Sequence, residues 1–114
     1  MLEKDIRPWG EYTVLSDNDK FKVKHITVQP GHRLSYQSHA KREEHWIVVS
    51  GSGTVTINDK DHPVKGGTHI HIPLQAKHRI TNSGQDPLCF VEVQLGTYFG
   101  EDDIVRYQDD YKRV

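Results

Sequence analysis

The chain has 114 residues, one domain's worth of sequence. Its 15 Lys and Arg against 16 Asp and Glu leave a net charge of −1, without the basic excess that nucleic-acid or anionic-membrane binding needs. No apolar run approaches the roughly 20 residues of a membrane span, the opening MLEKDIRPWG lacks the apolar centre of a signal peptide, and the one cysteine, Cys89, has no internal disulfide partner, so a reducing cytoplasm is expected.

A charged arm over residues 1–8 is expected to be mobile or to pair with a neighbouring subunit. Strands are then expected over 11–15 (EYTVL), 21–28 (FKVKHITV), 46–49 (WIVV), 53–58 (GTVTIN), 68–72 (THIHI), 78–81 (HRIT) and 88–95 (LCFVEVQL), all rich in β-branched and aromatic residues. Turn-forming stretches separate them: Ser16 to Asp19, Pro30-Gly31, Ser50 to Gly53, Asn58 to Asp61, Gly66-Gly67, Pro73, and Asn82 to Pro87. A helical turn is expected near 101–107, where Glu101, Asp102 and Asp103 suit a helix N-terminus. The tail, 108–114, is charged. Many short strands at a spacing of about 8–12 residues, with no long 3.6-residue repeat, predict a single all-β domain, a sandwich or barrel.

Histidine is over-used, at 8 of 114 residues, and is the commonest metal ligand. Gln37, His39 and Glu44 fall within eight residues. On a strand Gln37 and His39 point the same way, and Glu44 opens the next apolar run, from which it can face back across a hairpin. The spacing is Gly31-x5-Gln37-x-His39-x4-Glu44-x6-Gly51, followed by Gly67-x5-Pro73-x4-His78-x3-Asn82. Facing strands of a small barrel can bring these side chains to one ion. An amide, two imidazoles and a carboxylate suit Zn, Mn, Fe, Ni or Co, and the lack of thiolates argues against a structural zinc knuckle.

The two blocks resemble the two motifs of the cupin superfamily, a jelly-roll barrel also called a double-stranded β-helix. Gln37 stands where the usual first histidine does, and Gln75 replaces the last glycine of the second motif. Gln-x-His is the pattern of phosphomannose isomerases. The stretches Arg7-Pro8-Trp9-Gly10, Pro30-Gly31-x-Arg33-Leu34-Ser35, Glu44-His45-Trp46-x-Val48-Val49-Ser50-Gly51, His78-Arg79 and Glu92-Val93-Gln94-x-Gly96-x-Tyr98-x-Gly100-Glu101-Asp102-Asp103-Ile104-Val105-Arg106 are similar to the type II mannose-6-phosphate isomerase domain. That domain is commonly the C-terminal part of bifunctional guanylyltransferase/isomerase proteins. With no Gly-rich phosphate loop here, the resemblance implies only the isomerase half, interconverting mannose-6-phosphate and fructose-6-phosphate and feeding GDP-mannose and polysaccharide synthesis.

Such a reaction needs a divalent ion to polarise a carbonyl, a tuned general base near C1 and C2, and a cation for the phosphate. The expected metal set is Gln37, His39, Glu44 and His78, holding one ion, zinc first, with Mn, Co, Ni or Fe as alternatives. If Gln37 and His39 face inward, so do Ser35 and Arg33. If Glu44 does, so does Trp46, while Glu43 and His45 face away. On 88–95 the Val91/Val93/Leu95 face suits packing between sheets, so Glu92 and Gln94 are expected to line the pocket, with Glu92 as base. Arg33 and Arg106 are expected at the phosphate, with Arg79 and Lys77 as alternates. Residues 96–106 are expected to form a lid hinged at Gly96 and Gly100.

His69 and His71 share a strand face but have no evident carboxylate partner, so a solvated or interface role is expected. His25, His32 and His62 read as surface residues, Trp9 as a packing anchor, and Cys89 as an inert core thiol. A homodimer is expected, because so small a barrel needs its edge strands covered. The competing readings are a non-catalytic cupin that binds a sugar or nucleotide sugar, another metal enzyme on the same barrel, such as a dioxygenase or epimerase, and isomerisation of another phosphosugar.

Overall fold

The computed structural model describes residues 3–111. Eleven strands run in chain order: β1 (Glu3–Arg7), β2 (Gly10–Asp17), β3 (Phe21–Val28), β4 (Tyr36–Ser38), β5 (Arg42–Ser50), β6 (Ser52–Ile57), β7 (Lys60–Lys65), β8 (His69–Ile72), β9 (His78–Thr81), β10 (Leu88–Gly96) and β11 (Val105–Gln108). They form two antiparallel sheets, β1-β2-β3-β10-β5-β8 and β11-β4-β9-β6-β7. Among the described residues no helix is long and apolar enough to cross a membrane.

The register of the first sheet explains the site. Inward residues of β3, β10 and β5 line up as rows. Leu88 faces Val28, and Phe90 lies between Ile26 and Val48; the next rows are Lys24-Glu92-Trp46 and Lys22-Gln94-Glu44. One end of the interior is therefore apolar, and closes on Val55 and Ile80 of the second sheet. The other end carries buried charge. The apolar rows give the barrel its cohesion through burial, and the polar rows are held by it.

Several expectations change. The arm pairs within its own chain: β1 runs against β2 from Glu3↔Val14 to Arg7↔Gly10. Met1, Leu2 and residues 112–114 lie outside the described residues. The helical turn near 101–107 is absent. Residues 101–103 make turns, and Val105–Gln108 pairs with β4 as β11. On β10 the inward face is Leu88, Phe90, Glu92 and Gln94. Val91 and Val93 are half-buried on the outer face and Leu95 is exposed, so the valines do not pack between the sheets. Cys89 shares that outer face, half-buried, 3.6 Å from Thr27 Oγ1.

Two backbone positions fix the frame. Gly51, between β5 and β6, has φ +86°, and a Cβ there would sit 2.5 Å from Pro87 O, so both conformation and space demand glycine. Asn82 braces the turn before β10. Its Nδ2 donates to Val28 O and Asp86 O at 2.9 and 2.8 Å, and its Oδ1 accepts from Gly84 N.

Candidate metal centre

Three strands and one turn deliver the candidate ligand set. Alternation along β5 turns Arg42, Glu44, Trp46 and Val48 inward, and Glu43, His45, Ile47 and Val49 outward. In the second sheet Gln37 of β4 lies directly opposite His78 of β9. His39 follows β4 and is buried. The backbone of Gln75, φ +63°, donates to His39 O at 2.8 Å and ties the β8–β9 turn to that residue.

His39, Glu44 and His78 place one donor atom each within 4.8 Å of one another, all buried. His39 Nε2 lies 3.3 Å from Glu44 Oε2, and His78 Nε2 lies 3.8 Å from Glu44 Oε1. The far nitrogens fix the tautomers. His39 Nδ1 donates to Asp103 O at 2.6 Å, and His78 Nδ1 donates to Ala76 O at 3.0 Å. Each Nε2 therefore turns its lone pair toward Glu44, the arrangement of a metal-ligating histidine. Burial, with Arg42 and then His78 nearby, holds His39 down at about 4. Burial does the same for His78, also at about 4, so both rings are neutral near pH 7. Gln37 Nε2 donates to Ser35 Oγ at 3.0 Å, which leaves its amide oxygen as the donor it can offer. The donor set fits a divalent transition ion, and the histidines are already in the protonation state that ligation requires.

Each oxygen of Glu44 already accepts one hydrogen bond and keeps a lone pair for an ion. Its Oε1 accepts from Trp46 Nε1 at 3.0 Å, and its Oε2 accepts from Arg42 Nε at 2.9 Å. Arg42 Nη2 also lies 3.1 Å from His39 Nε2, so a guanidinium stands beside the ligand atoms. Its Nη1 and Arg79 Nη2 are buried without a hydrogen-bond partner, and both residues line the same cavity.

That cavity, about 110 Å³, is lined by Arg7, Lys24, Arg42, Arg79 and Arg106 against Glu44, Glu92 and Glu101, five cations to three carboxylates. Burial, reinforced by the neighbouring Glu44 carboxylate, pushes Glu92 up to about 8. Gln94 Nε2 donates to Glu92 Oε2 at 3.0 Å. At the mouth, Lys24 Nζ pairs with Glu101 Oε1. Burial opposes ionisation of Glu101, but Lys24, Arg42 and Lys22 outweigh it and hold its carboxyl at about 2.

The cavity brings together Gln37, His39, Glu44, His78, Ser35, Trp46, Arg79, Glu92 and Arg106. It does not include Arg33, whose Nε and Nη2 donate to Asp110 at 2.8 Å each. Gln94 is buried behind Glu92 rather than on the wall. Lys77 lies over the Tyr107 ring, 4.6 Å from its centroid. Trp9, read as an anchor, lines the wall. Gly96 has a packing role: a Cβ there would meet Lys41 O at 2.2 Å. The segment beyond it is pinned over the mouth, where Asp103 accepts from Ala40 N and Lys41 N at 3.1 and 2.9 Å. Sequence reasoning missed Arg42 and Lys24. The signal for Arg42 was present: it lies two residues before Glu44 and so shares its face.

Two antiparallel sheets around an interior that is apolar at one end and His/Glu-bearing at the other define a cupin, the double-stranded β-helix class. A solved protein with a double-stranded β-helix domain from Klebsiella pneumoniae superposes with TM-score 0.74 at 22% identity, over 82% of this chain and 80% of that one, a likeness in fold. The chain belongs to the family described as mannose-6-phosphate isomerase C-terminal, whose model matches residues 1–109. Among its relatives is the alginate biosynthesis protein AlgA of Pseudomonas aeruginosa, 50% identical over 108 residues, which are 95% of this chain and 22% of that protein. The mannose-1-phosphate guanylyltransferase ManC of Salmonella typhimurium is 46% identical, over 95% of this chain and 22% of its own length. The chain thus spans less than a quarter of the length of these curated relatives.

Proposed function

We propose that this chain is a metal-dependent isomerase that interconverts mannose-6-phosphate and fructose-6-phosphate. The observation that carries the reading is Glu92: a buried carboxyl pushed up to about 8, in the same cavity as His39, Glu44 and His78. A base titrating near neutrality can take a carbon-bound proton and give it back. The family description supports the substrate, and the relatives' names support a place in sugar-nucleotide and polysaccharide synthesis. The reading includes a cytoplasmic setting and a homodimer.

Gln37, His39, Glu44 and His78 would hold the ion, which when bound supplies Lewis-acid polarisation of the sugar oxygens. Zinc is the first choice for an N/O set, with Mn, Co, Ni and Fe competent in principle. Glu92 would take the C2 proton of the open-chain aldose and return it to C1, through a cis-enediol, as a hydroxyl proton moves from O2 to O1. Gln94 positions Glu92 through its amide. Arg106, Arg79 and Arg42 supply the cationic lining for the phosphate, with bidentate guanidinium geometry available. Ser35 orients Gln37, and Trp46 holds Glu44. Arg33, paired with Asp110 outside the cavity, could join the phosphate site only by leaving that pair.

A coupled assay for fructose-6-phosphate on the purified chain tests this, after chelation and with each metal restored singly. Metal-restored turnover is expected, with Glu92→Gln lowering kcat at least 100-fold while metal affinity is kept, the scale of general acid–base catalysis. No turnover with any bound metal would overturn the isomerase and favour a sugar-binding cupin; full turnover in Glu92→Gln would overturn the base.

A further inference from the structure

We propose that Glu43, His45 and His71 form a second divalent-metal site on the outer face of the first sheet, with His69 positioning His45. The residues come together by register. β5 and β8 are neighbours, with His45 opposite His71 and Ile47 opposite His69. Alternation turns Glu43, His45, His69 and His71 to the face away from the cavity. The carboxylate partner that the sequence did not reveal for the His69/His71 pair is Glu43, supplied by the adjacent strand.

The distances suit ligation better than hydrogen bonding. Glu43 Oε1 lies 3.4 Å from His45 Nε2, and Glu43 Oε2 lies 3.4 Å from His71 Nε2. Ordinary N–H···O bonds are about 2.7–3.2 Å. Bonds of about 2.0–2.1 Å to a tetrahedral ion put neighbouring donor atoms about 3.3 Å apart. One donor atom from each of the three residues falls within 4.8 Å of the others. The His45 and His71 rings stack at 4.6 Å and 16°, which presents both edges to the same carboxylate.

His69 Nε2 lies 3.4 Å from His45 Nδ1, on the side of the ring away from Glu43. The His45 and His69 rings also stack, with centroids 5.6 Å apart and planes 9° apart, and this packing orients the His45 ring as the outer partners of ligands do in established metal sites. Two imidazoles and one carboxylate suit Zn, Ni or Cu and leave a position open. The side chains are 32 to 46% exposed, so an ion reaches them without any opening of the barrel. Glu43 and Glu44 are adjacent in sequence but point to opposite faces, so the two sites are separable.

Zinc titration of the metal-free full chain, followed by calorimetry, tests the site. Two ions per chain are expected. His71→Ala and Glu43→Gln, both at exposed positions, should each weaken the outer ion at least tenfold and leave the inner one. Glu44→Gln should do the reverse. His69→Ala should keep two ions with outer affinity roughly tenfold lower. The proposal is overturned if His71→Ala and Glu43→Gln bind as the wild type does, or if the wild type binds one ion that Glu44→Gln removes. A single ion that His71→Ala removes and Glu44→Gln spares would support the outer site and count against the inner one.

Discussion

The two faces of β5 each set a glutamate among histidines and use it differently. Inward, Arg42 and Glu44 meet His39 and His78 with almost no solvent. Outward, Glu43 and His45 meet His69 and His71 in water. Burial holds both inner histidines at about 4 and leaves each charge dependent on its partner. Outside, water substitutes for a missing partner. Residue chemistry alone therefore does not set a site's character; the face of the strand does.

The largest expected difference follows from that dependence. Glu44→Ala strands the buried Arg42 guanidinium, and breaking a buried pair costs about 3–5 kcal/mol. Glu43→Ala, at a solvent-facing position, should leave stability close to that of the wild type. Urea unfolding of the metal-free variants measures both, and equal losses would erase the distinction between the faces.

The charged interior was the least legible part of the sequence. The four candidate ligand positions could be picked out because their spacing matches a motif. Lys22 and Lys24 share a face with Ile26 and Val28, yet charged residues default to the outside, and only the register against Gln94 and Glu92 shows why they are tolerated within. The strands β2, β3, β5, β6, β8, β9 and β10 announced themselves by β-branched and aromatic content. β1 (EKDIR), β4 (YQS), β7 (KDHPVK) and β11 (VRYQ) did not. They are short or highly polar, and their neighbours' backbone groups make them strands.

A smaller effect separates the inner titrating groups from each other. His39 and His78 have folded values near 4 against 6.5 unfolded, so their stabilisation is full above pH 6.5 and is lost as pH falls toward 4. Glu92 is raised from 4.5 to about 8, so its contribution is full below pH 4.5 and is lost as pH rises through 8. Between pH 4.5 and 6.5 the unfolded chain binds two of these protons and the folded chain one, so stability rises with pH. Between 6.5 and 8 only the folded chain binds one, so it falls. Metal-free protein should be most stable near pH 6.5. Glu92→Gln should remove the alkaline decline and steepen the acid one, as melting temperatures against pH would reveal; an unchanged profile would mean Glu92 ionises normally.

The smallest expected effect lies at the turn that joins the two halves of the inner site. Gln75 occupies the place of the second motif's glycine and still adopts φ +63°, while its N–H holds His39 O at 2.8 Å. A left-handed backbone costs a side-chain-bearing residue about 1–2 kcal/mol, and glycine avoids that cost. Glycine also loosens the unfolded chain, which offsets about 0.4–1 kcal/mol of the gain. Gln75→Gly should therefore stabilise the protein by about 1 kcal/mol or less, without altering metal affinity. A destabilised variant would mean that the Gln75 side chain, not the backbone conformation, holds this turn against His39.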